Sequence, residues 1–233
     1  MPLLLNATMK VRIILHFHSE FSYDSNITLS EIISQCKAHN IDYVGITDHN
    51  TMKGAIKFKE KLSKAGIKLI LGEEIMTTSG EIIGLFIQRQ IESKDLLGKK
   101  RSLKEVISEI KKQGGLVIVP HPFDKMRNGI GKKNVEKFKD DIDALETFNS
   151  RTKIHSFNKK AKKYAARHGF TNIVGSDAHI DEELGNAIIE MEEFKTPQEF
   201  AENLKNAAFY TKRLKLKHII RPTINKLRRK LFP

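Results

Sequence analysis

Short apolar runs alternate with longer amphipathic stretches along this chain. Seven runs read as strands, at 11–15, 43–47, 68–72, 82–87, 116–119, 144–148 and 173–175. Each is rich in Val, Ile, Leu or Phe, as strands buried on both faces of a parallel sheet are. The stretches between them carry helix signals. Thr28-Leu-Ser-Glu31 has the form of a capping box, as do Ser102-Leu-Lys-Glu105 and Thr196-Pro-Gln-Glu199. In the last, Pro197 takes the first helical position, where a missing N–H costs nothing. Gly66, Gly114-Gly115 and Gly169 stand where helices over 51–65, 102–113 and 152–168 should stop. This alternation predicts an α/β fold built on a parallel sheet, either open or closed into a barrel.

A chain of 233 residues with 39% hydrophobic content can bury one sizeable core. No apolar run approaches the roughly 20 residues of a membrane span. The start, Met-Pro-Leu-Leu-Leu, lacks a basic segment and is soon interrupted by Asn6, Thr8 and Lys10, which argues against a signal peptide. The one cysteine, Cys36, rules out an intramolecular disulfide, so a reducing, cytoplasmic location is expected and Cys36 is read as a packing residue. The net charge of +13 is unevenly placed: residues 209–233 hold nine Lys or Arg and no Asp or Glu. The expected organisation is therefore a body over 1–208 and a basic tail over 209–233.

The predicted strand ends carry the chemistry. The first ends in His16-Phe-His18, and side chains two apart on a strand share a side, so both imidazoles enter one space. The second ends in Asp48-His49, the third in Glu73-Glu74, another in His121 and the last in Asp177-Ala-His179. In a parallel sheet or barrel these C-terminal ends converge on one face, where active sites form. Asp24 follows in the first loop. Imidazoles beside carboxylates suit a divalent transition metal, and a cation would offset the cost of burying them together. The alternative is a set of hydrogen-bonded polar strand ends without metal.

The ordered motifs HxHS…SxD (His16 to Asp24), ITDHNT…G (Thr47 to Gly54), G-x-E (Gly72 to Glu74), PHPF (Pro120 to Phe123) and GSDAH (Gly175 to His179) resemble the PHP family, named for polymerase and histidinol phosphatase. The resemblance spans roughly residues 11–190 and is to short, stand-alone members. It implies a distorted seven-stranded (β/α) barrel over 1–208, two or three divalent metal ions (Mn, Zn or Fe) and phosphoester hydrolysis. The implied metal ligands are His16, His18, Asp24, His49, Glu74, His121, Asp177 and His179, with Glu73 outside the motif position. Two positions depart from the family pattern. Ile14 replaces a common Asp, and Glu81 stands where several members have His. On a regular strand Ile14 should point the same way as the histidine pair and form an apolar floor beneath it.

The expected chemistry is attack by a metal-activated hydroxide on a phosphomonoester or phosphodiester of a nucleotide, short oligonucleotide or small metabolite. His179, Asp177 and His49 are the candidate catalytic groups, with His179 a proton donor to the leaving oxygen. Arg127 and Arg151 are candidates for binding substrate phosphate or, alternatively, solvated loop residues. His39, His155, His168 and His218 are not expected to be ligands. For the tail three readings stand: an amphipathic helix packed on the barrel, a guide for nucleic acid, or a peripheral contact with anionic membrane lipids. The rival to an enzyme is a non-catalytic, metal-stabilised module that binds nucleic acid or a protein partner.

Overall fold

All seven expected runs form strands, and they curl into a distorted barrel in the computed structural model, which describes residues 9–214. The strands are β1 (Lys10–Phe17), β2 (Tyr43–Ile46), β3 (Lys68–Thr77), β4 (Gly80–Leu85), β5 (Leu116–Val119), β6 (Ala144–Asn149) and β7 (Asn172–Gly175). They lie side by side in chain order. The segment after β7 closes the circle at the upper end of β1, where His18 N–H donates to the Ala178 carbonyl at 3.0 Å.

The run expected at 82–87 forms a strand of opposite direction. After β3 the chain turns at Thr78-Ser79 and returns as β4, antiparallel to both β3 and β5. A two-residue turn permits only an antiparallel return, since a parallel neighbour needs a crossover of a dozen or more residues. The start of β4, with Glu81, therefore lies at the same end of the barrel as the C-terminal ends of the other strands.

Two strands exceed the expectation. β8 (Ala187–Glu192) pairs antiparallel with the lower half of β1, and β9 (Ala208–Thr211) pairs with β8. The expected boundary at 208/209 thus falls inside β9. Residues through Thr211 belong to the sheet, and the remainder of the basic tail from residue 215 lies outside the described residues, as does His218.

The helices α1 (Leu29–His39), α2 (Lys53–Lys64), α3 (Leu103–Lys112), α4 (Gly131–Lys137), α5 (Ser156–His168) and α6 (Pro197–Leu204) complete the fold. Thr28 and Ser102 close reciprocal capping boxes with Glu31 and Glu105. Thr196 caps Glu199 N–H, but the Glu199 carboxylate accepts from Lys195 N–H, so that box is shifted by one residue. The short α4 had no expected counterpart, and α5 begins four residues later than 152.

Among the described residues, three apolar clusters divide the fold. One fills the barrel, with Ile13, Leu15, Ile83, Leu85 and Ile118. Phe200 and Leu204 of α6 join it at the lower end, together with Phe194, which packs on the Tyr43 ring at 4.7 Å. The other two clusters lie between the strands and the outer helices. Ile14 belongs to the outer set, with Phe17, Ile32, Cys36 and Val44. It is therefore not the floor beneath His16 and His18; Leu15 faces the barrel interior there. Strand alternation runs Ile13 inward, Ile14 outward, Leu15 inward, and then breaks at His16, whose φ of 53° is left-handed. The β1–β2 register shifts at the same place, between Ile14 and Phe17.

Ile14→Asp should accordingly act on stability. An unpaired carboxylate in the outer layer should cost roughly 3–5 kcal/mol, against about 0.5–1.5 kcal/mol for Ile14→Val. Urea unfolding of the two variants checks this.

Candidate metal centre

The upper end of the barrel collects nearly every candidate residue. β1 delivers His16 and leads directly into His18, the segment after β2 delivers His49, and β3 carries Glu74. His121 follows β5, while Asp177 and His179 follow β7. Asp24 folds over from the first loop to lie 3.3 Å from His179 Nε2 and 3.5 Å from His49 Nε2.

Three of these residues need unusual backbone. His16, His121 and Asp177 have φ of 53°, 29° and 50°. Non-glycine residues avoid this region at a cost of order 1–3 kcal/mol each. The gain is direction. A left-handed residue breaks strand alternation, which allows Leu15, His16 and His18 all to face inward.

Glu74 lies at the centre. Its carboxylate oxygens are 3.4 Å from His16 Nε2, 3.3 Å from His18 Nε2, 3.3 Å from His49 Nδ1 and 3.2 Å from His121 Nε2. Asp177 Oδ1 adds contacts of 3.7 Å to His16 and 3.4 Å to His18. Glu81, from the reversed strand, reaches to 3.7 Å from His121 and 3.9 Å from His49. It belongs to the cluster wall rather than to a solvated hairpin.

Burial shapes the charge states. It pushes the His18 imidazole down to about 3, helped by the neighbouring His49 and His179, so His18 is a neutral donor. Burial would also lower His49, but the Glu74 and Asp24 carboxylates outweigh it and raise the group to about 9. Burial would raise Glu74 and Asp177. His16 and His49 overcome this for Glu74, and Arg127 and His16 for Asp177, so both carboxyls stay well below their ordinary range.

Several residues hold the candidate ligands in place, and the sequence motifs did not single out Glu146 or Asn149. Glu146, in the middle of β6, accepts from His16 Nδ1 at 2.6 Å and from His121 N–H at 2.8 Å. The first bond turns His16 Nε2 toward Glu74, a tautomer-fixing role familiar at metal sites. A Cβ on Gly175 would collide with the Glu146 carboxylate, which explains the glycine that opens the GSDAH motif. Asn149 donates its amide to both Glu146 and Asp177 at 2.9 Å. Asp48 accepts from Ser19 N–H and hydroxyl at 2.6 and 2.7 Å, and so fixes the loop after β1. A lone acidic residue in an apolar strand was the available signal for Glu146.

The remaining candidates separate. The Arg127 guanidinium pairs with Asp177 at the mouth. Arg151 instead pairs at 2.6 Å with buried Glu183, which also accepts from His179 N–H at 3.0 Å. This arginine braces the loop that carries His179. Glu73 points away from the cluster and accepts from Ile91 N–H at 2.9 Å. His39 and His168 end α1 and α5, and His155 precedes α5.

The donor set fits divalent cations. His16 Nε2, both ring nitrogens of His18, His121 Nδ1 and Asp177 Oδ1 are buried atoms without a hydrogen-bond partner in the protein. Leaving such atoms unmatched costs about 1–3 kcal/mol each. Three groups of ligand atoms lie within 4.8 Å of one another: His18, Asp24, His49 and His179; His16, His18 and Asp177; and His16, Glu74 and His121. Shared histidines make the groups contiguous.

Comparison with known proteins matches this picture. The sequence pattern of the PHP domain covers residues 15–219. The chain belongs to the PHP domain family. An uncharacterized protein of Methanocaldococcus jannaschii is 35% identical to this PHP chain over 206 residues, 84% of this chain and 79% of that protein. A two-domain protein of Bacteroides vulgatus, described as containing a predicted PHP-like metal-dependent phosphoesterase, superposes with a TM-score of 0.71. It is 18% identical, and the match covers 95% of this chain and 71% of that one. A lesion-specific endonuclease of Pyrococcus furiosus superposes at 0.58 with 19% identity, over 86% of this chain and 58% of its own.

Glu146→Gln should lower divalent-cation affinity about 10–100-fold with little change in far-UV circular dichroism. With His49 as a cation ligand, protons would compete at its ring, so cation affinity should rise as pH increases toward about 9, with proton release. Calorimetry in buffers of different ionisation heat measures both.

Proposed function

We propose that this PHP domain is a metal-dependent phosphoesterase that holds two or three divalent cations, Mn, Zn or Fe, at the upper barrel mouth. The observation that carries the reading is the set of three contiguous ligand groups around Glu74, with buried ligand atoms unmatched by the protein itself. The descriptions of the Bacteroides and Pyrococcus proteins support the same class of reaction. The overlapping groups His16, His18 and Asp177; His18, Asp24, His49 and His179; and His16, Glu74 and His121 would hold the cations, with each imidazole nitrogen serving one cation. Bound there, such cations supply Lewis acidity that activates water and offsets charge on a phosphoryl group.

The chain's own residues supply orientation and protons. Glu146 keeps the proton of His16 on Nδ1, away from the cluster. The Asp177 carbonyl lies 2.8 Å from His179 Nδ1, which directs Nε2 toward Asp24 and the mouth. His179, Asp177 and His49 are assigned as the catalytic groups, with His179 the proton donor to the leaving oxygen. Arg127, with about a quarter of its side chain exposed, is assigned to the substrate phosphate. Its planar fork suits phosphate oxygens. Arg151 is assigned to holding the His179 loop.

The departures that distinguish a non-catalytic module weigh less than the sequence implies. Ile14 lies outside the cluster, and Glu81 adds a carboxylate to it. The substrate is assigned to nucleotides, short oligonucleotides or small phosphorylated metabolites.

A panel of monophosphates, nucleoside bisphosphates and short RNA and DNA with added Mn²⁺, Zn²⁺ or Fe²⁺ should reveal turnover. Its absence across the panel would sink the enzymatic reading. His16→Ala and His179→Ala should each abolish turnover, and unchanged rates in both would refute the site. Arg127→Ala should lower kcat/KM roughly 10–100-fold, as expected for one charged hydrogen bond of about 1.5–3 kcal/mol.

A further inference from the structure

The nine-stranded sheet has two ends, β7 and β9. Beside them, away from the metal cluster, lies a cleft of about 490 Å³. One wall is a face of α5 and its N-cap, with His155, Asn158, Lys159 and Lys162 at three- and four-residue spacing. The opposite wall follows β9, with Phe209, Thr211 and Arg213 at alternate positions. Phe148 and Val174 add apolar surface from β6 and β7.

The lining has one sign of charge. Lys159, Lys162 and Arg213 converge with His155, and no described residue lining the cleft is acidic. Burial, followed by the Arg213 and Lys159 charges, holds the His155 imidazole below its ordinary value. Two polar atoms there, Asn172 Oδ1 and His155 Nδ1, are buried without a hydrogen-bond partner in the protein. A cleft with apolar patches, unanswered positive charge and unmatched polar atoms has the makings of a ligand site.

We propose that this cleft binds a phosphorylated small molecule with a planar body, of the nucleoside monophosphate class. Lys159, Lys162 and Arg213 receive the phosphate, and arginine and lysine are the usual partners of such an anion. Phe148 and Phe209 pack against the planar body. Asn172 Oδ1 accepts a hydrogen bond from it. Asn158 joins this cleft to the barrel mouth. Its amide donates to the Asn149 carbonyl at 3.0 Å and accepts from Asn149 N–H at 3.2 Å. Asn149 in turn holds Glu146 and Asp177. The proposal rests on the cleft lining and not on the phosphoesterase reading.

The test is calorimetric titration of the full chain, treated with chelator so that cations at the mouth cannot recruit phosphate. The probes are adenosine monophosphate, adenosine and inorganic phosphate. Adenosine monophosphate should bind at one site at least tenfold more tightly than either other probe. The double variant Lys159→Glu/Lys162→Glu should weaken it tenfold or more, while Arg127→Ala binds it as the parent does. Both lysines are exposed, and matching thermal melts would verify that the variant folds. Unchanged affinity in the lysine variant would overturn the proposal. So would loss of binding in Arg127→Ala, which would place the nucleotide at the mouth, or phosphate binding as tightly as the nucleotide. Because binding is read without turnover, failure here leaves the phosphoesterase reading standing, and an inactive substrate panel leaves this site standing.

Discussion

Glu74 is a carboxylate with almost no solvent exposure, set within 3.4 Å of imidazole nitrogens from four histidines. A buried ion without compensation is among the costliest features a protein can hold. Around Glu74 the compensation comes from His16 and His49, while Arg127 does the same for Asp177. Much of the upper barrel serves this arrangement. The strands end where they do, the first loop folds Asp24 inward, and β4 reverses so that Glu81 joins the wall.

The arrangement also explains the local backbone. His16, His121 and Asp177 adopt left-handed conformations at the ends of otherwise regular strands. Gly175 leaves room for the Glu146 carboxylate, and a Cβ on Gly54 would collide with Asp48 and the Ser19 hydroxyl. These are local departures from ideal geometry, sustained by the surrounding core. Below them the interior is apolar, from Leu15 and Ile83 down to Phe200. The polar cluster is thus confined to one end of the barrel interior, and the apolar body beneath keeps the candidate ligands in register.

The side of the barrel is organised differently. β8 and β9 extend the sheet from β1 and leave β7 as its other end. The cationic cleft there and the carboxylate-rich mouth have opposite character. Asn158 and Asn149 connect them through a reciprocal pair of hydrogen bonds. One scaffold therefore presents an electron-rich donor cluster suited to cations and a separate basic cleft suited to an anion.

The sequence by itself determined the order of the first seven strands, the capping boxes at Thr28 and Ser102, and the convergence of histidines and carboxylates at strand ends. Those features follow from local periodicity and from the common direction of parallel strands. It did not determine the direction of β4, the outward placement of Ile14 or the bracing role of Arg151. It also gave no sign that Glu146 orients His16. The physical reason is the same in each case. A two-residue turn, a left-handed φ at His16 and pairings such as Glu146 with His16, 130 positions apart, become visible only when distant segments pack together. Local pattern says which residues can face a common site. The tertiary structure decides which of them do, and which hold the others in place.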